Sequence, residues 1–205
     1  MRIGRKGRGG RENKNGQSMV ELALVLPFLL LLLIATVETG FALRNYLMVQ
    51  SANREGARLA IRTPPGDEYR EYFREERVPE VFERIYTAGT EGGLQRDRMS
   101  IIITYVYVDG GTPTYEVFTS GAVTEGDSRV NPTEIASQNG TKTAQINATR
   151  QSGNNDPLEN EIIVVEVFYD HRSLWFYDII GPMGGPWRMY AQSTMRMVGT
   201  GRQTQ

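Results

Sequence analysis

The one spacing in this chain that promises chemistry of its own is Gly16-Gln17-Ser18-Met19-Val20-Glu21, which runs straight into the apolar block Leu22 to Val37. A cut between Gly16 and Gln17 would create an α-amino group one helical turn from Glu21. That amine is mostly protonated at neutral pH, so it would suit the carboxylate as a partner. Elsewhere the reactive residues are sparse. His171 is the single histidine; it follows Asp170 at the end of an apolar run, and no recognisable pattern places a nucleophile beside it. A lone histidine of this kind is far more often structural than catalytic. Asn154, Asn155, Asp156 and Glu159 offer the oxygen ligands that calcium takes, but lack EF-hand spacing and read as a turn. Gly7-Arg8-Gly9-Gly10 lacks the strand–turn–helix setting of a phosphate loop. With no cysteine in the chain, a disulfide framework, a thiolate nucleophile and a lipoprotein anchor are excluded. No enzyme, metal or cofactor is expected.

The elements that must position Glu21 follow from charge and hydropathy. Arg2, Arg5, Lys6, Arg8, Arg11 and Lys14 are opposed within residues 1–16 only by Glu12, while the whole chain of 205 residues carries a net charge of −1. The basic arm next to an apolar block reads as a topology signal that keeps the N-terminus in the cytoplasm, rather than as a nucleic-acid site. The apolar block is about 24 Å long as a helix, and Gln17 to Glu38 about 32 Å. The longer stretch spans a hydrocarbon core of roughly 30 Å, provided Glu21 and Glu38 lie near the two faces. At the bilayer centre, a carboxylate would cost about 2.5–3.5 kcal/mol. Pro27, inside the block, predicts a kink, which membrane helices tolerate. An ordinary signal anchor and a cleaved secretory signal are the competing readings; the latter wants a shorter core and small residues at its cleavage site.

From Phe41 the helix is expected to become amphipathic. Leu43, Tyr46, Leu47, Val49, Ala52, Gly56, Ala57 and Ala60 fall at three- and four-residue spacing. Arg54, Arg58 and Arg62 lie four apart on another face, with Glu55 one turn from Arg58 to relieve their repulsion. They read either as a solvated face or as contacts to a carboxylate on the globular domain or a neighbouring subunit. Thr63-Pro64-Pro65-Gly66 stops the helix. Asp67 to Ala88 predicts two short helices divided at Pro79, with a turn over Gly89 to Gly93.

Met99 to Val108 predicts a strand, Asp109-Gly110-Gly111-Thr112 a hairpin turn and Tyr115 to Thr119 its partner. Ser120 to Asn160 turns polar and rich in Gly, Asn, Thr and Ser; it is expected as short strands, Thr143 to Thr149 among them, or as one long surface loop. Ile162 to Tyr169 is the strongest strand, and Trp187 to Val198 is expected to pair with it. Between them, Leu174 to Ile180 and Gly181 to Pro186 form an apolar crossover, read either as a lid on the core or as a docking patch.

Gly16 with Glu21 five residues on, then a long apolar helix, resembles the class III signal of type IV pilins and pseudopilins. More closely, Gln17 to Leu33 with its Leu26-Pro27 pair, followed by Ala52-Asn53-Arg54-Glu55-Gly56-Ala57-Arg58, resembles the TadE-like proteins, minor pseudopilins of the tight-adherence (Tad/Flp) pilus. The likeness covers about the first sixty residues and returns weakly from Glu161 to Arg196. In a bacterial chain, the glycan-acceptor patterns Asn139-Gly140-Thr141 and Asn147-Ala148-Thr149 carry little weight. The resemblance implies an α+β, pilin-like fold: a leader over 1–16, a transmembrane helix over 17–43, its amphipathic continuation over 44–62 and an extracytoplasmic α+β domain over 63–205. It implies a prepilin peptidase cutting between Gly16 and Gln17, Glu21 acting in processing and assembly, and Arg54, Glu55 and Arg58 as possible inter-subunit contacts. Expected partners are that peptidase, other pilins, pilus assembly-platform proteins and membrane lipid, with no nucleic acid. The alternative is a single-pass, signal-anchored protein whose extracytoplasmic domain binds a partner. Gln17, once N-terminal, could also cyclise to pyroglutamate, which would remove the amine that Glu21 needs.

Overall fold

The computed structural model describes residues 14–63, 67–152, 158–173 and 187–200. Most of the leader, Pro64 to Gly66, the Asn154-Asn155-Asp156 cluster and the Leu174 to Pro186 crossover lie outside the described residues. The chain divides into two compact units, Met1–Phe41 and Ala42–Gln205. The element order is α1 (Lys14–Ala60), α2 (Asp67–Tyr72), α3 (Val78–Glu91), β1 (Met99–Asp109), β2 (Thr112–Ser120), α4 (Pro132–Ser152), β3 (Leu158–His171) and β4 (Trp187–Thr200).

Helix α1 is 47 residues long and continues through Pro27. Its first part belongs to the first unit. There the apolar side chains stand out: Leu24 is 68%, Phe28 65% and Leu32 65% exposed. The hydroxyls of Thr36 and Thr39 donate to the carbonyls of Leu32 and Ala35 within the helix, so they ask nothing of the surroundings. This helix is long and apolar enough to cross a membrane, its best window reaching a mean hydropathy of 2.7.

The second unit is an α+β fold built on a four-stranded antiparallel sheet in the order β2-β1-β3-β4. β1 lies at its centre, with Ile103 facing Phe118 on one side and Val165 on the other. The hairpin before β2 closes through Gly110 and Gly111, both at positive φ (53° and 87°), as a two-residue turn of that kind requires. Alternation along the strands then separates the two faces. Ile101, Ile103, Tyr105, Ile163, Val165 and Val167 join Val49, Ala52, Ala57 and Ala60 of α1 and Val81 and Ile85 of α3 in the main core. Ile102, Phe168 and Val123 form a smaller cluster on the other face.

Between α2 and α3 one π-helical turn, Phe73–Arg77, replaces the break expected at Pro79. Pro79 has no N–H to return to the carbonyl four residues back. The ladder widens instead, with Val78 N–H bonding to Phe73 O. The turn drives Phe73 into the core against Tyr105, ring centroids 4.4 Å apart.

The polar stretch from Ser120 to Asn160 departs most from expectation. Neither a set of strands nor a long loop, it is largely α4, which covers β1, β2 and β3. Thr143 to Thr149 is helical. The N-terminal signal was present: Asn131 accepts from Glu134 N–H at 3.3 Å, Pro132 takes the first helical position, and Ile135 N–H reaches Asn131 O. The helix docks through polar groups. Asn139 Nδ2 donates to Asn160 O at 2.7 Å, and Asn160 Nδ2 donates back to Asn139 Oδ1 and to Thr143 Oγ1. Asn139 is therefore buried and unavailable as a glycan acceptor.

Candidate functional site: the N-terminal helix and its supports

Gln17 and Glu21 occupy the same face of α1, one turn apart, with Gln17 Nε2 donating to Glu21 Oε1 at 3.1 Å. An α-amino group created at Gln17 would begin one turn from that same carboxylate.

In the second unit, the segment Ala52 to Arg58 divides by direction. Ala52, Asn53, Gly56 and Ala57 point inward. Asn53 Nδ2 is shared between Val165 O on β3 (2.9 Å) and Ala191 O on β4 (3.0 Å), tying α1 to the two strands. Sequence reasoning missed this residue, because an asparagine in mid-helix reads as a surface position. Gly56 is where α3 comes close: a Cβ there would stand 2.3 Å from Ile85 Cγ1. Replacing glycine inside a helix normally gains a few tenths of a kcal/mol to about 1 kcal/mol in propensity, whereas overpacking costs about 1–3 kcal/mol. Gly56→Val should therefore be a net loss, read as a lower thermal midpoint of the detergent-solubilised chain. A midpoint at or above that of the wild type would contradict the close approach.

Glu55 pairs across to α3 rather than along its own helix. Arg84 Nη2 reaches Glu55 Oε1 at 2.8 Å and Arg84 Nε at 3.2 Å, correcting the pairing with Arg58 expected from spacing. That guanidinium holds the Glu55 carboxyl below its usual range, with Arg58 and Arg62 adding weakly from a distance. Arg54 and Arg58 are exposed, and among the described residues neither forms an ion pair or a side-chain hydrogen bond. Leu43, Tyr46 and Leu47 are exposed too, so the apolar band expected from Leu43 onward is buried only from Val49. His171 is buried, with Asn45 Nδ2 3.1 Å from its Nδ1.

Two acids break the apolar runs of β3, and each is tied down on its own face of the sheet. Glu161, 1% exposed, accepts from Tyr105 OH at 2.5 Å and from Arg70 Nε at 3.4 Å. Arg70 also donates to Val108 O and lies over the Tyr107 ring. Burial first, then the Glu161 charge, raises the Tyr105 hydroxyl well above the ordinary tyrosine range. On the other face Glu166 accepts from Ser128 Oγ, Arg129 N–H and Tyr190 OH. An acid set into an apolar strand is the signal that could have identified both. Each carboxylate thereby joins separate elements of the fold.

A third clamp, Arg74 to Glu116, is bidentate at 2.7 and 2.5 Å and joins the π turn to β2. Arg74 holds the Glu116 carboxyl below its usual range against the opposing effect of burial, and Tyr107 OH adds a further hydrogen bond. A depressed folded-state value stabilises the fold above the ordinary glutamate range, and that stability is lost as pH falls through the depressed value. Acid unfolding should therefore begin at a higher pH in the Arg74→Ala variant than in the wild type, as followed by near-ultraviolet circular dichroism; coincident acid limbs would show that the clamp contributes nothing.

Among the described residues, no group of His, Asp and Glu is arranged to hold a metal ion. No curated protein and no solved structure matches the chain. Residues 16–58 match the family model described as TadE-like protein, so the stretch from the Gly16–Gln17 junction through the apolar helix to Arg58 is a TadE-like segment, consistent with a protein of a pilus system.

Proposed function

We propose that this chain is a minor pilin or pseudopilin, a structural or assembly component of a Tad/Flp-type pilus. The observation that carries the reading is the extent of the family match. It runs from residue 16 to residue 58 and so takes in Gly16, Glu21, the apolar helix and the Ala52 to Arg58 segment together. A prepilin peptidase removes residues 1–16 on the cytoplasmic side, where the basic arm holds them. Gly16 lies in the first turn of α1, at the helix end. The mature helix waits in the membrane with residues 63–205 outside the cytoplasm, until it joins or initiates a fibre. Leaving lipid for another helix gains little hydrophobic energy, so packing and the pairing of Glu21 set the register.

The test is the mass of the N-terminus of the full chain, taken from membranes of a host with and without its prepilin peptidase. The expected result is a chain beginning at Gln17 only when the peptidase is present. Loss of ammonia from that terminus would show that Gln17 has cyclised. An identical, untrimmed chain in both hosts would overturn the reading in favour of a signal-anchored extracytoplasmic binding protein.

A further inference from the structure

We propose that Arg54 and Arg58 on the outward side of α1, with Arg62 in the turn just past it, dock onto Glu71, Glu75 and Glu76 of a second copy of this chain. The naming of a second copy rests on the pilus reading; the surface itself is argued from the fold. Folding accounts for the inward residues of the Ala52 to Arg58 segment. Ala52 and Ala57 fill the core, Asn53 caps strand carbonyls, Gly56 admits α3 and Glu55 is held by Arg84. It does not account for Arg54, Arg58 or Arg62. All three are exposed; Arg54 and Arg58 repel as like charges four apart on α1, and Arg62 lies in the turn just past Ala60. Among the described residues Glu55 relieves that repulsion only from a distance, because its carboxylate is paired with Arg84.

A matching set of opposite sign lies elsewhere on the same unit. Glu71 on α2 and Glu75 and Glu76 on the π turn are exposed. The arginines threaded among them are already committed, Arg70 to Glu161, Arg74 to Glu116 and Arg77 to Glu80. Three cations and three carboxylates that form no ion pair among the described residues are thus available to one another. The spacings along the chain agree: Arg54 to Arg58 and Glu71 to Glu75 are each four residues apart. Both sets are carried by rigid elements packed on one core, α1 through Asn53 and Gly56, and the π turn through Phe73. The two patches adjoin, since Arg77 of the π turn donates to Thr63 just past Arg62, and the contact sets the arginines of one copy against the glutamates of the other. Charge complementarity of this sort sets register and partner choice more than raw affinity.

The absence of native cysteine makes the test direct. Two differently tagged full-length copies are co-expressed in membranes, one carrying Arg58→Cys and the other Glu75→Cys, and then oxidised. The expected product is a mixed disulfide dimer. A control pair, Arg58→Cys with Lys142→Cys on α4, should give at least about tenfold less. In a second pair, Arg54→Cys with Glu71→Cys, adding Arg58→Glu to the first copy should cut the cross-link by about tenfold, and adding Glu75→Arg to the other should restore it. All these positions are exposed, and an unchanged thermal midpoint checks that the fold survives. Cross-linking no greater than the control, or capture of a different protein in place of the second copy, overturns the proposal. Leader trimming is read in the same samples. Trimmed chains without the cross-link sink the docking and leave the pilus reading standing, whereas untrimmed chains that still cross-link sink the pilus reading alone.

Discussion

Glu161→Ala should destabilise the second unit by about 3–5 kcal/mol, the usual cost of removing one partner from a buried ion pair. Arg70 would then keep its charge in a site that is almost closed to water, and Tyr105 OH would lose its acceptor. Val108 O and Asp109 still face the guanidinium, and the Tyr107 ring lies 4.3 Å from it. These contacts place the loss toward the lower end of the range. For a domain of this size, about 2–4 °C is lost per kcal/mol, so the midpoint should fall by about 6–12 °C. Glu161→Gln keeps the shape and an oxygen for Tyr105, so it should recover more than half of the loss. Thermal unfolding of the detergent-solubilised chain is the measurement. A loss below about 1 kcal/mol for the alanine variant would mean that Glu161 is not what holds Arg70, and with it α2, to β3.

The strands were legible because their physics is local. Met99 to Val108 and Ile162 to Tyr169 are β-branched and aromatic, and a Gly-Gly pair between Asp109 and Thr112 leaves little but a tight turn. The end of α1 was half legible. Its arginines do face outward, but the apolar band was placed nearly two turns too early, since spacing alone cannot say where the sheet begins. α4 was not legible from periodicity at all. It is anchored by Asn139, Thr143 and Asn160, and a helix that docks through amides shows no apolar stripe. Its only local sign was the cap, Asn131-Pro132-Thr133-Glu134. Asn53 eluded the sequence for a related reason: a buried polar group in mid-helix is recognised by its partners, and Val165 and Ala191 lie far along the chain.

Glu21→Ala should leave the leader trimmed as in the wild type, yet lower recovery of the chain in the pilus fraction about ten- to a hundredfold. The reason is a change of charge at the neighbouring nitrogen. In the uncut chain the backbone nitrogen of Gln17 is a neutral amide, and among the described residues Glu21 accepts from the Gln17 side-chain amide at 3.1 Å. Cleavage turns that backbone nitrogen into an ammonium group, one turn from the carboxylate. A hydrogen bond to a charged group is worth about 1.5–3 kcal/mol, and each 1.4 kcal/mol is about tenfold in an equilibrium. Gly16→Ala should reach the same assembly defect by another route, because the leader then stays on and the ammonium never forms. The two variants therefore look alike in the pilus fraction and differ in mass, which separates a fault in pairing from a fault in processing. If Glu21→Ala subunits were trimmed and recovered at the wild-type level, the carboxylate would have no part in register, and the electrostatic basis of assembly argued for this helix would be lost.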